Sequence, residues 1–240
     1  MKRVFIAGAL ALAAATQAFA ADLPPAPAPM PRAPAAYVPV APAWSWTGFY
    51  VGMNTGYGFG NSTWSQPAAS SGGFAVDGWM VGATVGGNYQ IGQLVLGLEG
   101  DYDWQNIRGA SNTSPCFNLV GAGLGGGCAT SSNWVATFRG RVGYAFDRIL
   151  LYGTGGGAAT DIRSSTATLP WASATEFGWT AGAGIEVAIT DNVTAKMEYL
   201  YADFGNSSCS SAANCGFAAP STVSLTENMV RLGINYKFGY

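Results

Sequence analysis

The residues of this chain that could do chemistry are acidic and basic side chains, and most of them are spaced two apart. Such a spacing places side chains on one face of an extended strand. Carboxylates and bases gathered on one face would form ion pairs, because an unpaired charge in a closed interior costs several kcal/mol. Ten residues make up the predicted ion-pair network: Glu99, Asp101, Asp103, Arg139, Arg141, Glu186, Lys196, Glu198, Arg231 and Lys237.

Catalysis by these residues is restricted because the chain contains no histidine. Ser-His-Asp and Cys-His arrangements are therefore excluded, and a Ser–Lys dyad would need Lys196 or Lys237, which the pattern assigns to ion pairs. The run Gly121-x-Gly123-x-x-Gly126 has the spacing of a dinucleotide fingerprint, but it follows no parallel strand and opens no helix. We expect no enzymatic activity, no cofactor and no metal site. A net charge of −2 also gives no electrostatic case for binding nucleic acid.

Eight alternating segments must position the charges. They cover residues 46–59, 76–89, 94–104, 134–146, 149–160, 177–189, 193–204 and the closing run from 230. The closing run puts Arg231 and Lys237 on one face and an aromatic-rich apolar row on the other, which is typical of a strand with lipid outside. In the fifth segment we expect Leu150, Tyr152 and Thr154 to face outward.

The links between these segments alternate in length. Links at 90–93, 147–148 and 190–192 are short, whereas those at 60–73, 105–133, 161–176 and 203–223 are long and polar. Short periplasmic turns and long extracellular loops are typical of a bacterial outer-membrane barrel. The sequence therefore predicts an all-β fold, an eight-stranded antiparallel transmembrane β-barrel. A soluble sandwich with this pattern would have to bury the charges or expose a continuous aromatic face.

The N-terminal region precedes the barrel and has two parts. Residues 1–20 have the positive start, short apolar run and small residues of a secretory signal, with cleavage between Ala20 and Ala21. Residues 21–45 are proline-rich and are predicted to form an extended periplasmic tether, which at about 3.1 Å per residue could reach roughly 60 Å. Residues 46–240 form the predicted barrel.

The four cysteines lie as two close pairs in the predicted long links. In an oxidising compartment the spacing favours the disulfides Cys116–Cys128 and Cys209–Cys215, out of three possible connectivities.

Several motifs resemble the outer-membrane immunogenic β-barrel proteins of alphaproteobacteria. The matching runs are residues 21–24 (ADLP), 46–52 (WTGFYVG), 139–144 (RGRVGY), 151–156 (LYGTGG), 178–186 (GWTAGAGIE) and 230–238 (VRLGINYKF). The resemblance implies an abundant, surface-exposed eight-stranded barrel in the outer membrane of a Gram-negative bacterium, among lipid and lipopolysaccharide. It also implies that a mature Ala21-Asp22 start can be joined to peptidoglycan through its terminal amine. The C-terminal aromatics Tyr236, Phe238 and Tyr240 match the signal read by the outer-membrane assembly machinery.

Two functions remain as hypotheses. The leading one is a structural, surface-exposed barrel that contributes to envelope integrity and is tethered to peptidoglycan. The alternative is a narrow porin or a haem- or small-ligand-binding protein. An eight-stranded interior is just filled by side chains, which favours the structural role. Because the chain has no histidine, a bound haem would need a tyrosine as its iron ligand.

Overall fold

The fold was analysed in a computed structural model that describes residues 44–66, 69–111, 128–166, 169–209 and 221–238. The strands are β1 (Gly48–Gln66), β2 (Ala69–Ile91), β3 (Leu94–Ser111), β4 (Cys128–Phe146), β5 (Ile149–Thr166), β6 (Leu169–Ala188), β7 (Val193–Cys209) and β8 (Ser221–Phe238). Each strand pairs antiparallel with the next, and β8 pairs with β1 to close the barrel. The predicted eight-stranded antiparallel barrel is confirmed. No helix in the described ranges has the length and apolar character needed to cross a membrane.

The outer face of the barrel is a broad apolar band. Large hydrophobic side chains point outward on all eight strands; Phe49 and Phe177, for example, are each 77% exposed. Along β1 the band runs from Phe49 to Phe59, which at about 3.3 Å per residue and a tilt near 40° spans roughly 25 Å. Aromatic side chains mark both edges of the band, as expected where a barrel meets the two lipid interfaces.

The strands extend well beyond this band, and two of the predicted loops are wrong. Residues 60–66 and 69–73 form the outer parts of β1 and β2, and residues 161–166 and 169–176 form those of β5 and β6; these strands remain paired as far as Gln66↔Ala69 and Thr166↔Leu169. Their polar residues resemble loop residues because this part of the barrel has water outside. The short links are confirmed: β2 and β3 are joined by Gly92-Gln93, and β4 and β5 by Asp147-Arg148.

The predicted facing of the fifth segment is also wrong. Leu150, Tyr152 and Thr154 point into the barrel and are 0%, 5% and 9% exposed. The turn explains this phase, since Phe146 of β4 pairs directly with Ile149 of β5. Directly paired residues share a face, and Phe146 is exposed, so Ile149 faces outward and Leu150 faces inward.

The interior has three levels. The basal cluster, at the end with the short turns, contains Trp46, Val95, Ala145, Leu150, Tyr152 and Ala188. The charged layer, inside the apolar band, contains Glu99, Asp101, Asp103, Arg139, Arg141, Glu186, Lys196, Glu198 and Arg231. The upper cluster, at the other end, contains Trp64, Val76, Met80, Ile107, Val135, Ala158, Ile162, Leu200, Ala202, Phe204, Val223, Leu225 and Met229.

Candidate functional site

The charged layer is the site that the sequence predicts, and the alternation of its strands explains its position. Glu99, Asp101 and Asp103 of β3 face inward, as do Arg139 and Arg141 of β4. The remaining charges come from β6, β7 and β8. The walls formed by β1 and β2 are rich in inward glycines, such as Gly56 beside Arg231 and Gly82 beside Asp103, where a Cβ atom would collide with backbone or side-chain atoms. These glycines leave room for the long side chains.

Arg139 is one of two hubs of the layer. Its guanidinium donates to Glu99 Oε1 at 2.6 Å, to Asp101 Oδ2 at 2.5 Å and to Glu198 Oε1 at 3.0 Å. Its Nε also donates to the Thr137 hydroxyl at 3.1 Å. Arg139 is fully buried, so its charge is compensated by these groups rather than by water.

Arg231 is the second hub. Nη1 donates to Asp103 Oδ2 at 2.7 Å, and Nη2 donates to Glu198 Oε2 at 2.5 Å and to Asp101 Oδ2 at 3.3 Å. Asp101 and Glu198 therefore each join both hubs. Because Asp101 lies on β3 and Glu198 on β7, the ion pairs cross the interior and link strands that are not neighbours.

Arg141 and Lys196 extend the layer toward the basal cluster. Arg141 Nη2 donates to Glu186 Oε2 at 2.7 Å, and Lys196 Nζ donates to Glu99 Oε2 at 2.9 Å. Glu186 and Lys196 are cross-strand neighbours, and the sequence suggests that they pair. The structure instead pairs Glu186 with Arg141, two strands away on β4, and Lys196 with Glu99 of β3, on the opposite wall of the barrel.

Tyr50 is a member of the layer that the sequence analysis did not identify. Its hydroxyl donates to Glu99 Oε2 at 2.7 Å and accepts from Arg141 Nη1 at 2.9 Å. The ring lies over Gly86, its cross-strand partner on β2. A tyrosine packed over a cross-strand glycine is a known way to fill the gap that a glycine leaves.

Tyr152 repeats this arrangement on the other side of the barrel. Its hydroxyl donates to Glu198 Oε1 at 3.2 Å, and its ring lies over Gly184 of β6. The Arg141 guanidinium carbon lies 3.9 Å from the centroid of the ring, a cation–π contact. If the fifth segment had been assigned the correct facing, Tyr152 would have been predicted to lie in the interior.

Lys237 does not belong to the layer, and its assignment to the ion-pair network is wrong. Its ammonium donates to the backbone carbonyl of Ser45 and lies 4.3 Å from the Trp44 ring centroid. No described carboxylate forms an ion pair with it. Lys237 lies one residue from the end of β8, too far from the layer for its side chain to reach the carboxylates.

The segment before β1 covers the short-turn end of the barrel. Trp46 is 1% exposed; its backbone N–H donates to Gln90 Oε1 at 2.7 Å and its indole N–H to the Asp147 carbonyl at 3.0 Å. Trp44 and Ser45, which the sequence analysis assigns to the tether, already contact the barrel.

Other predicted sites lie partly or wholly outside the described residues. Ala20, Ala21, Asp22, Cys116, Cys215 and Tyr240 are not described, and Cys128 and Cys209 lie at the ends of β4 and β7. The disulfides, the cleavage site and the peptidoglycan attachment therefore stay predictions. Tyr236 and Phe238 are described: both face outward, with ring centroids 5.0 Å apart.

The charged layer has the features of a structural ion-pair network. Four bases meet five carboxylates, and every one of these nine side chains is in an ion pair. Within the described ranges, no group of three or more His, Cys, Asp or Glu side chains could hold a metal ion. Buried hydrogen-bonded charges that cross a barrel hold opposite walls together and fix their relative positions.

Comparison with known proteins identifies relatives along almost the whole chain. Residues 6–238 match the family model described as the outer membrane protein beta-barrel domain. The 31 kDa outer-membrane immunogenic protein of Brucella melitensis is 35% identical over 258 residues, covering 99% of this chain and all of that protein. The 25 kDa outer-membrane immunogenic protein of Brucella abortus is 34% identical, with 99% of each chain covered. The 22 kDa outer membrane protein of Rhizobium leguminosarum is 34% identical, with 83% of this chain and 82% of that protein covered.

Proposed function

Because the chain belongs to the outer membrane protein beta-barrel family and is a protein of the Gram-negative outer membrane, we propose that it is a structural, surface-exposed barrel that contributes to envelope integrity. The observation that carries this proposal is the filled interior. A charged layer lies between two apolar clusters, so the space within the barrel is used for packing. This content suits a rigid membrane anchor without catalytic activity.

The N-terminal region supports a tethering role in the same proposal. The segment from Trp44 is held against the short-turn end of the barrel, and we propose that the proline-rich tract extends from this end into the periplasm. A tract of that length, with the mature start Ala21-Asp22, could reach the peptidoglycan layer. We propose that the chain joins the outer membrane to peptidoglycan through Ala21.

A muropeptide analysis tests the tether directly. Peptidoglycan from cells expressing the full chain is digested and examined by mass spectrometry, and we expect fragments that carry Ala21 linked to a stem peptide. A chain in which residues 24–41 are deleted keeps Ala21 and the barrel but loses the reach, so its linked fragments should decrease strongly. If the intact chain yields no Ala21-linked fragment, the covalent tether is wrong.

Envelope integrity needs a separate measurement. Release of outer-membrane vesicles should rise in a deletion strain and return to the wild-type level with the intact chain, but not with the chain lacking residues 24–41. Equal rescue by both chains would mean that the barrel stabilises the envelope without its tether. Unchanged vesicle release in the deletion strain would contradict the integrity role itself.

The closing strand supports a proposal about assembly. Tyr236 and Phe238 present two exposed aromatic rings at the end of β8, consistent with a signal for the assembly machinery. We expect Phe238→Asp to abolish membrane insertion, whereas deleting Gly239 and Tyr240 should leave it intact. Insertion is measured by the amount of folded, heat-modifiable protein in outer-membrane fractions. Normal insertion of Phe238→Asp would contradict this role.

A further inference from the structure

The basic residues of the described chain are distributed unevenly, and this points to an unassigned site. Four belong to the charged layer, Lys237 contacts the N-terminal segment, and Arg148 lies in a short turn. In the part of the chain that the structure describes, two basic residues remain, Arg108 and Arg163. Both lie on the outer face of the barrel, beyond the apolar band on the extracellular side.

These two arginines flank one position on the strand between them. Arg108 on β3 and Arg163 on β5 are both directly paired with Ser131 on β4. With strands about 4.8 Å apart, their Cα atoms are about 10 Å from each other. Between them is a pocket of about 650 Å³. Its floor consists of small residues: Gly109, Ala110, Ala129, Thr130 and Ser131.

Arg163 is held in place by its neighbours. Its Nε donates to Asp161 Oδ2 at 2.9 Å, and in the amide orientation that satisfies both groups Asn133 Oδ1 accepts from Nη1 at 2.9 Å. Asp161 itself is fixed, because its other oxygen accepts from the backbone N–H groups of Asn133 and Trp134 at 2.8 and 3.0 Å. The Arg163 side chain is still 46% exposed, so it can contact a ligand.

Arg108, in contrast, is not held by neighbouring side chains. It is exposed and makes no hydrogen bond or ion pair with any described residue. Its other cross-strand neighbour, Asp77, lies on the side away from the pocket and accepts from the Tyr57 hydroxyl. The pocket therefore combines one positioned guanidinium with one free guanidinium, a pair that an anion could bridge.

The height of the pocket identifies the anion. Arg108 is four residues beyond Trp104, an exposed aromatic at the upper edge of the apolar band, and a β-bulge between Trp104 and Ile107 shortens the rise along β3, so Arg108 lies less than roughly 10 Å above that edge. This is the level of the lipid headgroups. Arginine is well suited to phosphate because its planar donors can bind two oxygens at once. We propose that the pocket between Arg108 and Arg163 binds a phosphate of the phosphorylated glycolipid in the outer leaflet, the lipid A part of lipopolysaccharide.

This inference goes beyond the proposed function and is independent of the tether. The purified mature chain, folded in detergent, is titrated with bisphosphorylated lipid A and with dephosphorylated lipid A of the same acyl composition. Bound lipid is counted by native mass spectrometry. We expect at least tenfold tighter binding of the phosphorylated form. Arg108→Gln should weaken that binding about tenfold, and Arg108→Lys, which keeps the charge but not the paired donors, should weaken it less.

The controls separate loss of the site from loss of the fold. Arg148→Gln removes an exposed arginine at the opposite end and should leave binding unchanged. Arg163→Gln should match Arg108→Gln; if losing the Asp161 contact unfolds it, Arg108→Gln still decides, because the Arg108 side chain makes no hydrogen bond or ion pair with a described residue. Unchanged binding by Arg108→Gln, or equal binding of both lipids, would overturn the proposal. If inorganic pyrophosphate bound as tightly as lipid A, the pocket would be a site for a free anion, and the lipid proposal would be overturned as well.

Discussion

The charged layer and the upper cluster fill the same barrel with opposite kinds of side chain. The middle of the apolar band encloses the nine ion-paired residues, whereas the thirteen buried apolar residues of the upper cluster begin inside the upper part of the band, where Met229 pairs with Gly58, and continue beyond it. The outer face changes in the opposite sense, from exposed aromatic and aliphatic residues to polar ones. The strands continue across this boundary, where their pairing is interrupted by β-bulges, for example between Trp104 and Ile107 of β3 and between Asp203 and Asn206 of β7. One barrel therefore accommodates two kinds of interior, one ion-paired and one apolar.

The two regions also stabilise the barrel by different forces. The upper cluster is a hydrophobic core, and where it extends beyond the apolar band, water outside the barrel drives apolar side chains inward. Lipid gives no such drive within the band, where an apolar side chain is equally well placed outside. There, the interior is held by directional ion pairs and hydrogen bonds.

The largest effect is expected from breaking a hub of the charged layer. Arg139→Met removes one ion-pair partner from each of three buried carboxylates and should lower the free energy of unfolding by about 3–5 kcal/mol. The measurement is denaturant unfolding of the barrel in detergent. Arg148→Met, at an exposed turn with one surface ion pair, should change it by less than about 0.5 kcal/mol. Equal effects of the two variants would contradict a structural role for the layer.

A core substitution tests the upper cluster in the same assay. Leu200 is 0% exposed, so Leu200→Ala should leave a cavity and cost about 3 kcal/mol. Leu232 points outward and is 56% exposed, and Leu232→Ala should cost about 1 kcal/mol because it creates no cavity. If both leucine variants are equally destabilised, the upper cluster is not packed as a core.

A smaller effect of opposite sign is expected at the boundary between the two regions. Glu227 is 0% exposed, and its carboxylate forms no ion pair with a described base. Glu227→Gln removes a buried acid that no base neutralises and should raise the free energy of unfolding by about 1 kcal/mol. Glu198→Gln is the matched control, and it should destabilise because Glu198 pairs with both hubs. Destabilisation by Glu227→Gln would show that Glu227 has a compensating partner.

The last prediction is the absence of an effect. Trp46→Ala opens the basal cluster but leaves the charged layer and the upper cluster in place. We expect neither the parent barrel nor this variant to give stable single-channel steps in planar-bilayer recordings. Steps in the parent would revive the narrow-porin alternative, and steps in the variant alone would mean that the basal cluster is the barrier.

Much of this arrangement could be predicted from the sequence, because side chains in a strand alternate with a period of two. That rule correctly placed the charges of Glu99, Arg139 and Arg231 inside the barrel. The ion-pair partners could not be predicted in the same way, since Lys196 and Glu99 meet across the interior through the closure of the barrel. The facing of the fifth strand, which was predicted wrongly, could have been derived from the sequence, because the two-residue Asp147-Arg148 turn determines that Leu150 points inward.

The outer parts of the strands could not be recognised in the sequence for a different reason. Beyond the band, polar residues occur on both faces, since hydroxyl groups such as those of Ser62 and Thr130 pair inside the barrel at 3.0 Å. Their alternation in hydropathy is therefore weak, and the segments resemble loops. Arg108 and Arg163 are far apart in the sequence, and the register of β3, β4 and β5 alone brings them to one pocket.

Trp46 affects how a pull on the chain before β1 would be transmitted to the barrel. Tension along the proline-rich tract would reach β1, which is hydrogen-bonded to β2 on one side and to β8 on the other. A pull along the strand loads these bonds together in shear, whereas a pull across it would unzip them one after another. The bonds of Trp46 to Gln90 and Asp147 also pass part of the force to the β2 end and to the β4–β5 turn. A force applied at Trp46 would therefore be shared among β1, β2, β8 and the β4–β5 turn.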